Sequence, residues 1–147
     1  MPDISAAIRA AEAIAAAIDT EGTSIPPCVV SLAPRVLEAD GGELAASLYA
    51  VPMSVTNTRE ARRLVLREAA VALVLLVPVD DEAAAASALA EFQALADSLL
   101  SSGSSPEGSV KFVTWNCDEL FDQELLADQQ ILRSQIDVSC TILDALQ

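Results

Sequence analysis

Three groups of side chains in this 147-residue chain have types and spacings that chemistry needs, and the lack of any histidine limits all of them. The first is Cys117 in Asn116-Cys117-Asp118, directly after a run that alternates as a strand. A cysteine nucleophile acts as its thiolate, which neighbouring carboxylates oppose and which no histidine here can help to form. An ordinary loop thiol is therefore expected. The second group is acidic: Asp118, Glu119, Asp122, Glu124 and Asp128. Carboxylates at this density suit a divalent cation, but the spacing matches no EF-hand loop and Leu120-Phe121 interrupts the ligand rhythm. A solvated helix start explains them better. Cys28, Cys117 and Cys140 form no CxxC pair for zinc, and free thiols in a reducing compartment account for them. No glycine-rich phosphate loop opens a helix. The expectation is a protein that is not an enzyme, with no catalytic residue, no metal and no cofactor.

The third group is basic. Arg59, Arg62, Arg63 and Arg67 place four of the chain's eight basic residues within nine positions, in a chain with 22 acidic residues and a formal charge of −14. One reading is a solvated loop that offsets its acidic surroundings. The other is an intermolecular patch, in which guanidinium groups meet the carboxylate-rich face of a neighbouring copy. Such a contact is heterologous and closes into a ring if the rotation allows. Trp115, the only tryptophan, is either core or an interface anchor. The candidate oligomer interface is thus Arg59, Arg62, Arg63, Arg67 and Trp115.

Positioning these groups falls to the elements around Arg67–Asp80, reading REAAVALVLLVPVD. The run Ala69–Val79 carries no charge and is rich in valine, as expected of a central strand buried on both faces. Pro78 ends it, and Asp80 or Asp81 caps a helix to about Ser101. That helix carries the stripe Ala85, Ala88, Leu89, Phe92, Leu95, Ala96 and Leu99. Before the central strand, Asp3–Asp19 reads as a helix capped by Asp3, its thin stripe being Ile4, Ile8, Ala11, Ala15 and Ile18. Cys28–Ala33 is a short strand stopped at Pro34, and Asp40-Gly41-Gly42 is a hairpin-type signal. Glu43–Val55 alternates, with Leu44, Ala46, Leu48 and Ala50 on one face and Tyr49, Val51, Met53 and Val55 on the other. Pro52 suggests an edge position or a bulge. Thr56–Arg67 is a polar hairpin loop or a short helix starting near Thr58.

After the second helix, Ser109–Trp115 alternates with Val110 and Phe112 opposite Lys111, Val113 and Trp115. Asn116–Gln130 is a loop followed by one or two helical turns. Ile131–Leu143 is the strictest alternation: Leu132, Ile136, Val138, Cys140 and Ile142 inward, Arg133, Gln135, Asp137, Ser139 and Thr141 outward. One α+β domain over 1–147 follows, a mainly antiparallel sheet of about five strands with two main helices on one face, in the order α-β-β-β-α-β-β. No apolar run approaches the ~20 residues that span a bilayer, and the N-terminus lacks a basic region typical of signal peptides. The acidic balance disfavours a nucleic-acid-binding surface.

The run Thr114-Trp115-Asn116, then Leu120-Phe121-Asp122-Gln123-Glu124-Leu125-Leu126, then a long alternating strand from Ile131, resembles the tail terminator proteins of long-tailed bacteriophages. These are also called minor tail or tail-completion proteins. Earlier in the chain, Val30–Arg35 with Pro34-Arg35, Ala50-Val51-Pro52, the basic segment and Ala69–Asp80 follow in the same order. The resemblance implies a structural role at the head-proximal end of the virion tail, after synthesis in the host cytoplasm. It implies a hexameric homo-oligomer that stops growth of the tail tube protein and presents a docking surface to the head-side connector or neck protein. DNA would pass through the ring without specific binding, and an acidic lumen would not hold phosphate. From a different class, a small cytoplasmic α+β adaptor also fits the residues.

Overall fold

The computed structural model describes residues 4–23, 25–32, 37–38, 44–106 and 108–145. In chain order its elements are α1 (Ile4–Ala17), β1 (Cys28–Val30), β2 (Leu37–Glu38), β3 (Leu44–Ala45), β4 (Ser47–Ala61), β5 (Leu64–Pro78), α2 (Glu82–Ser102), β6 (Val110–Asn116), α3 (Gln123–Gln129) and β7 (Ile131–Ala145). The main sheet has the order β1-β4-β5-β7-β6, and β2 pairs with β3 in a small hairpin. Only β1 and β4 run parallel; the other pairings in the main sheet are antiparallel. The α+β fold with a five-stranded, mostly antiparallel sheet is as expected, with β2, β3 and α3 added to the order. Asp3, Pro34-Arg35 and Asp40-Gly41-Gly42 lie outside the described residues.

β5 is the middle strand, and all six residues from Val71 to Leu76 are buried. Burial at consecutive strand positions requires material on both sheet faces. On the first face Val71, Leu73 and Leu75 join Leu48 and Ala50 of β4 and Ile136 and Val138 of β7. Both α1 and α2 pack there, with Ile14 and Phe92 fully buried. α1 lies over β4 and β5, and α2 over β6 and β7. On the second face Ala72, Val74 and Leu76 join Tyr49, Val51 and Ile131, against Leu125 of α3. β3 also lies against β5.

Asp81 is the cap of α2, its side chain accepting from the Ala84 N–H at 2.8 Å, and Gly103 ends the helix with φ of 78°. Of the expected stripe, Ala85, Ala88, Phe92, Leu95, Ala96 and Leu99 are buried and Leu89 is half-buried. α1 presents a different face from the one expected. Ala6, Ala10, Ala11, Ala13 and Ile14 are buried, whereas Ile8 and Ala15 are only half-buried. The alanines let the helix axis approach the sheet closely, with Ile14 in the core and Ile18 packed against its edge.

Two bulges correct two further expectations. A register shift between Pro52 and Ser54 inserts one residue and reverses the alternation, so Val55 packs on the α1/α2 face instead of with Tyr49 and Val51. A second shift between Phe112 and Thr114 turns Trp115 to the same side as Val110 and Phe112. Thr56–Arg67 is neither a long loop nor a helix. β4 and β5 continue through it and leave only Arg62-Arg63 as the turn.

The Leu75 side chain is fully buried at the middle of this sheet. Leu75→Asp places an unpaired charge there and should cost several kcal/mol, enough to unfold a domain of ordinary stability. Circular dichroism on heating should show no cooperative transition; an unchanged melting temperature would refute the central placement of β5.

Candidate functional site

Every residue from Thr56 to Leu64 is exposed, so the end of the β4–β5 hairpin stands in solvent. β7 supports it along the β5 side as far as the pair Leu64↔Ala145. At the tip, Ala61 pairs with Leu64 around Arg62-Arg63. Neither turn residue has a positive φ, so the turn lacks the mirror-image geometry that best suits a two-residue hairpin. The register shift between Arg59 and Ala61 sits next to the turn, and a bulge adds the local twist that such a turn lacks. Arg59 stitches the tip to itself. Its Nε donates to the Ala61 carbonyl at 3.3 Å and its Nη2 to the Arg62 carbonyl at 3.2 Å.

The four arginines therefore divide by environment. Arg67 is half-buried, and its Nε meets the Asp144 carboxylate at 2.7 Å while its Nη1 donates to Asn57 Oδ1 at 3.1 Å. Arg9 of α1 reaches the same Asp144, 3.0 Å from its other oxygen. Asp144 thus ties α1, β5 and β7 together. Hydrogen bonding from Arg9, assisted by Arg67 and opposed by burial, holds its carboxyl below the usual carboxylate range. Arg62 and Arg63, by contrast, are exposed, and among the described residues their side chains make no hydrogen bond or ion pair.

Trp115 is not part of the arginine group. It is half-buried against the core, and its Nε1 donates to Asp97 of α2 at 3.0 Å. It lies level with Val138, seven β7 residues from Ala145 at the tip, or roughly 23 Å along the strand.

The loop after β6 holds the acidic group. Asp122 caps α3 by accepting from the Leu125 N–H at 3.1 Å, and Asn116 Nδ2 donates to Asp118 at 2.7 Å. Asp118, Glu119 and Asp122 share a hollow of about 180 Å³ with Arg133, Gln135 and Asp137. Among the described residues no group of three or more potential ligands is placed to hold a metal ion. The half-buried Cys117 thiol donates to the Glu119 carbonyl at 3.3 Å. Burial first, and then Asp118 and Asp137, push its pKa up against a bond from Ser134, so the thiolate is disfavoured. Burial alone pushes Cys28 and Cys140 up to about 12. A cleft of about 320 Å³ between the start of α2 and α3 adds Asp80, Asp81 and Glu82, of which Asp81 is already the helix cap.

The sequence reading missed Asp144, because it ended the last strand at Leu143. The continued alternation past Cys140 and Ile142 was the available signal. No family model matches the chain, and no curated protein matches it. Among the described residues no helix is long and apolar enough to cross a membrane.

The lowered pKa of Asp144 has a definite sign. A carboxylate whose pKa is lower folded than unfolded adds stability above the unfolded value, and that stability is lost as pH falls through the folded value. Asp144→Asn should therefore lower the melting temperature at neutral pH, and the difference from wild type should shrink below about pH 4. A difference that stays constant on acidification would show that the clamp is not electrostatic.

Proposed function

We propose that this chain is a structural virion protein that caps a phage tail tube as a ring, ends tube elongation and offers a docking surface to the head-side connector. The observation that carries this reading is the exposed Arg62-Arg63 turn at the end of a long hairpin, whose two side chains have no partner among the described residues, on a chain whose formal charge is −14. A cationic projection on an acidic body is complementary to another copy of the same body. In a head-to-tail ring each tip would meet the acidic side of the next copy, where Asp118, Glu119 and Asp122 line the hollow beside β7. The family resemblance supplies the hexamer, the tube protein and the connector as partners. Arg67 and Trp115 are held by Asp144 and Asp97 of their own chain, which leaves Arg62 and Arg63, on a turn braced by Arg59, as the intermolecular group.

One exposed ion pair contributes ~0–1 kcal/mol, so a single substitution should do little. Arg59→Glu, Arg62→Glu and Arg63→Glu together set like charge against like charge, which opposes association by several kcal/mol. The expected result is loss of rings at tube ends by electron microscopy, with the circular dichroism and melting of the free protein near normal. Rings that persist with a defect only in DNA retention would place these arginines in the channel instead. Normal rings and normal infectivity would leave them as a solvated turn.

A further inference from the structure

The β4–β5 hairpin carries a second feature that does not depend on its charge. From Met53 to Ala61 the outer edge of β4 has no strand partner among the described residues, because β1 pairs only with Leu48, Tyr49 and Ala50. An open edge presents unpaired N–H and C=O groups, and proteins ordinarily blunt such edges. The outward positions follow from one bond. The Ala50 carbonyl accepts from the Ser31 N–H at 3.1 Å, so Ala50 turns its backbone groups toward β1. By the two-residue alternation Pro52 does the same, and its missing N–H removes no bond to β5. The bulge at Met53 resets the alternation. Beyond it, Val55, Asn57 and Arg59 present their backbone groups outward.

We propose that this edge pairs with the same edge of a second copy, antiparallel and two-fold symmetric about Asn57. The length of the edge selects that centre. With Asn57 opposite its own copy, Met53 stands opposite Ala61 and Val55 opposite Arg59, so the whole open edge is used. The Arg62-Arg63 turn of each copy then ends beside Pro52 of the other, just past β1, where Leu32 is 67% exposed. A centre at Val55 drives each turn into the other copy's β1, and a centre at Arg59 sets two guanidinium groups face to face. The Asn57 register also places Thr56 opposite Thr58, a favourable cross-strand pair, and opposes no like charges. This interface is isologous, so it closes as a dimer. It does not rest on the ring reading. It holds each turn away from the acidic side of a neighbouring copy, so a free dimer would have to open before a ring could form.

The register makes the test specific. Residues on the axis of a hydrogen-bonded pair have Cα atoms about 5.5 Å apart, inside the span of a disulfide. Full-length Asn57→Cys incubated with oxidised glutathione should give a covalent dimer on a non-reducing gel, above the background of the wild-type thiols. Arg59→Cys should not, since it faces Val55. Asn57→Asp keeps a partner in Arg67 and should fold, yet sets two carboxylates together on the axis. Light scattering should then show loss of the dimer seen for wild type. The triple arginine reversal should leave the dimer intact, so its ring defect and the dimer defect are separable. A monomeric wild type, or Arg59→Cys cross-linking as readily as Asn57→Cys, would overturn the proposal.

Discussion

A strand buried on both faces constrains everything around it, and β5 is such a strand. Its backbone groups need a neighbour on each side, and β7 supplies them from Leu64 to Pro78 and β4 from Leu64 to Leu76. Its side chains need cover above and below. At 15 residues β5 extends about 50 Å, whereas the 21 residues of α2 span about 31 Å and the 14 of α1 about 21 Å. On the helix face β5 and β7 are nonetheless buried as far as Val65 and Ile142, and it is the end of β4 beyond Val55 and the opposite face, at Leu64 and Leu143, that are left uncovered. The far end of the hairpin therefore stands in water, and its residues suit that setting: Thr56, Asn57, Thr58 and Arg59 on β4, with Arg62-Arg63 at the turn.

Charge is arranged along the same hairpin. Near the end of the hairpin, level with Val65 and Arg59, Asp144 holds Arg9 and Arg67 and joins the first helix to the central and last strands. This clamp uses two of the chain's few cations internally. At the tip, Arg59 bonds to its own turn and Arg62 and Arg63 are left facing solvent. Basic residues that look like one cluster along the chain thus serve two purposes, and only the distal ones remain available to a partner. The hairpin offers that partner both a charged tip and an unpaired backbone edge, and these recognise different things. Charge steers and tolerates small shifts in position, whereas a strand edge demands one register.

The sequence by itself determined the elements whose signal is a period. β5 shows as an uncharged valine-rich run, α2 as a three-four stripe opened by Asp81, and β7 as strict alternation. Each of these faces is chosen by burial, so hydrophobicity reports it directly. Alternation also pointed to trouble at Pro52, since a residue without an N–H must sit at an edge or a bulge. Tertiary structure decided the rest. In α1 eight of the 14 residues are alanine, spread round the helix, so hydrophobicity could not say which side meets the sheet. Close approach chose the line through Ala6, Ala10 and Ile14. The faces of Val55 and Trp115 depended on bulges; Pro52 marks the first, but nothing in the composition marks the second. Thr56–Arg67 resembled a loop because polar residues there form strands only when a long neighbour holds them, and β5 with β7 behind it is that neighbour. The pairing of Arg67 with Asp144 spans 77 positions of chain. No local pattern encodes such a contact, because it arises only when the sheet brings two distant strands side by side.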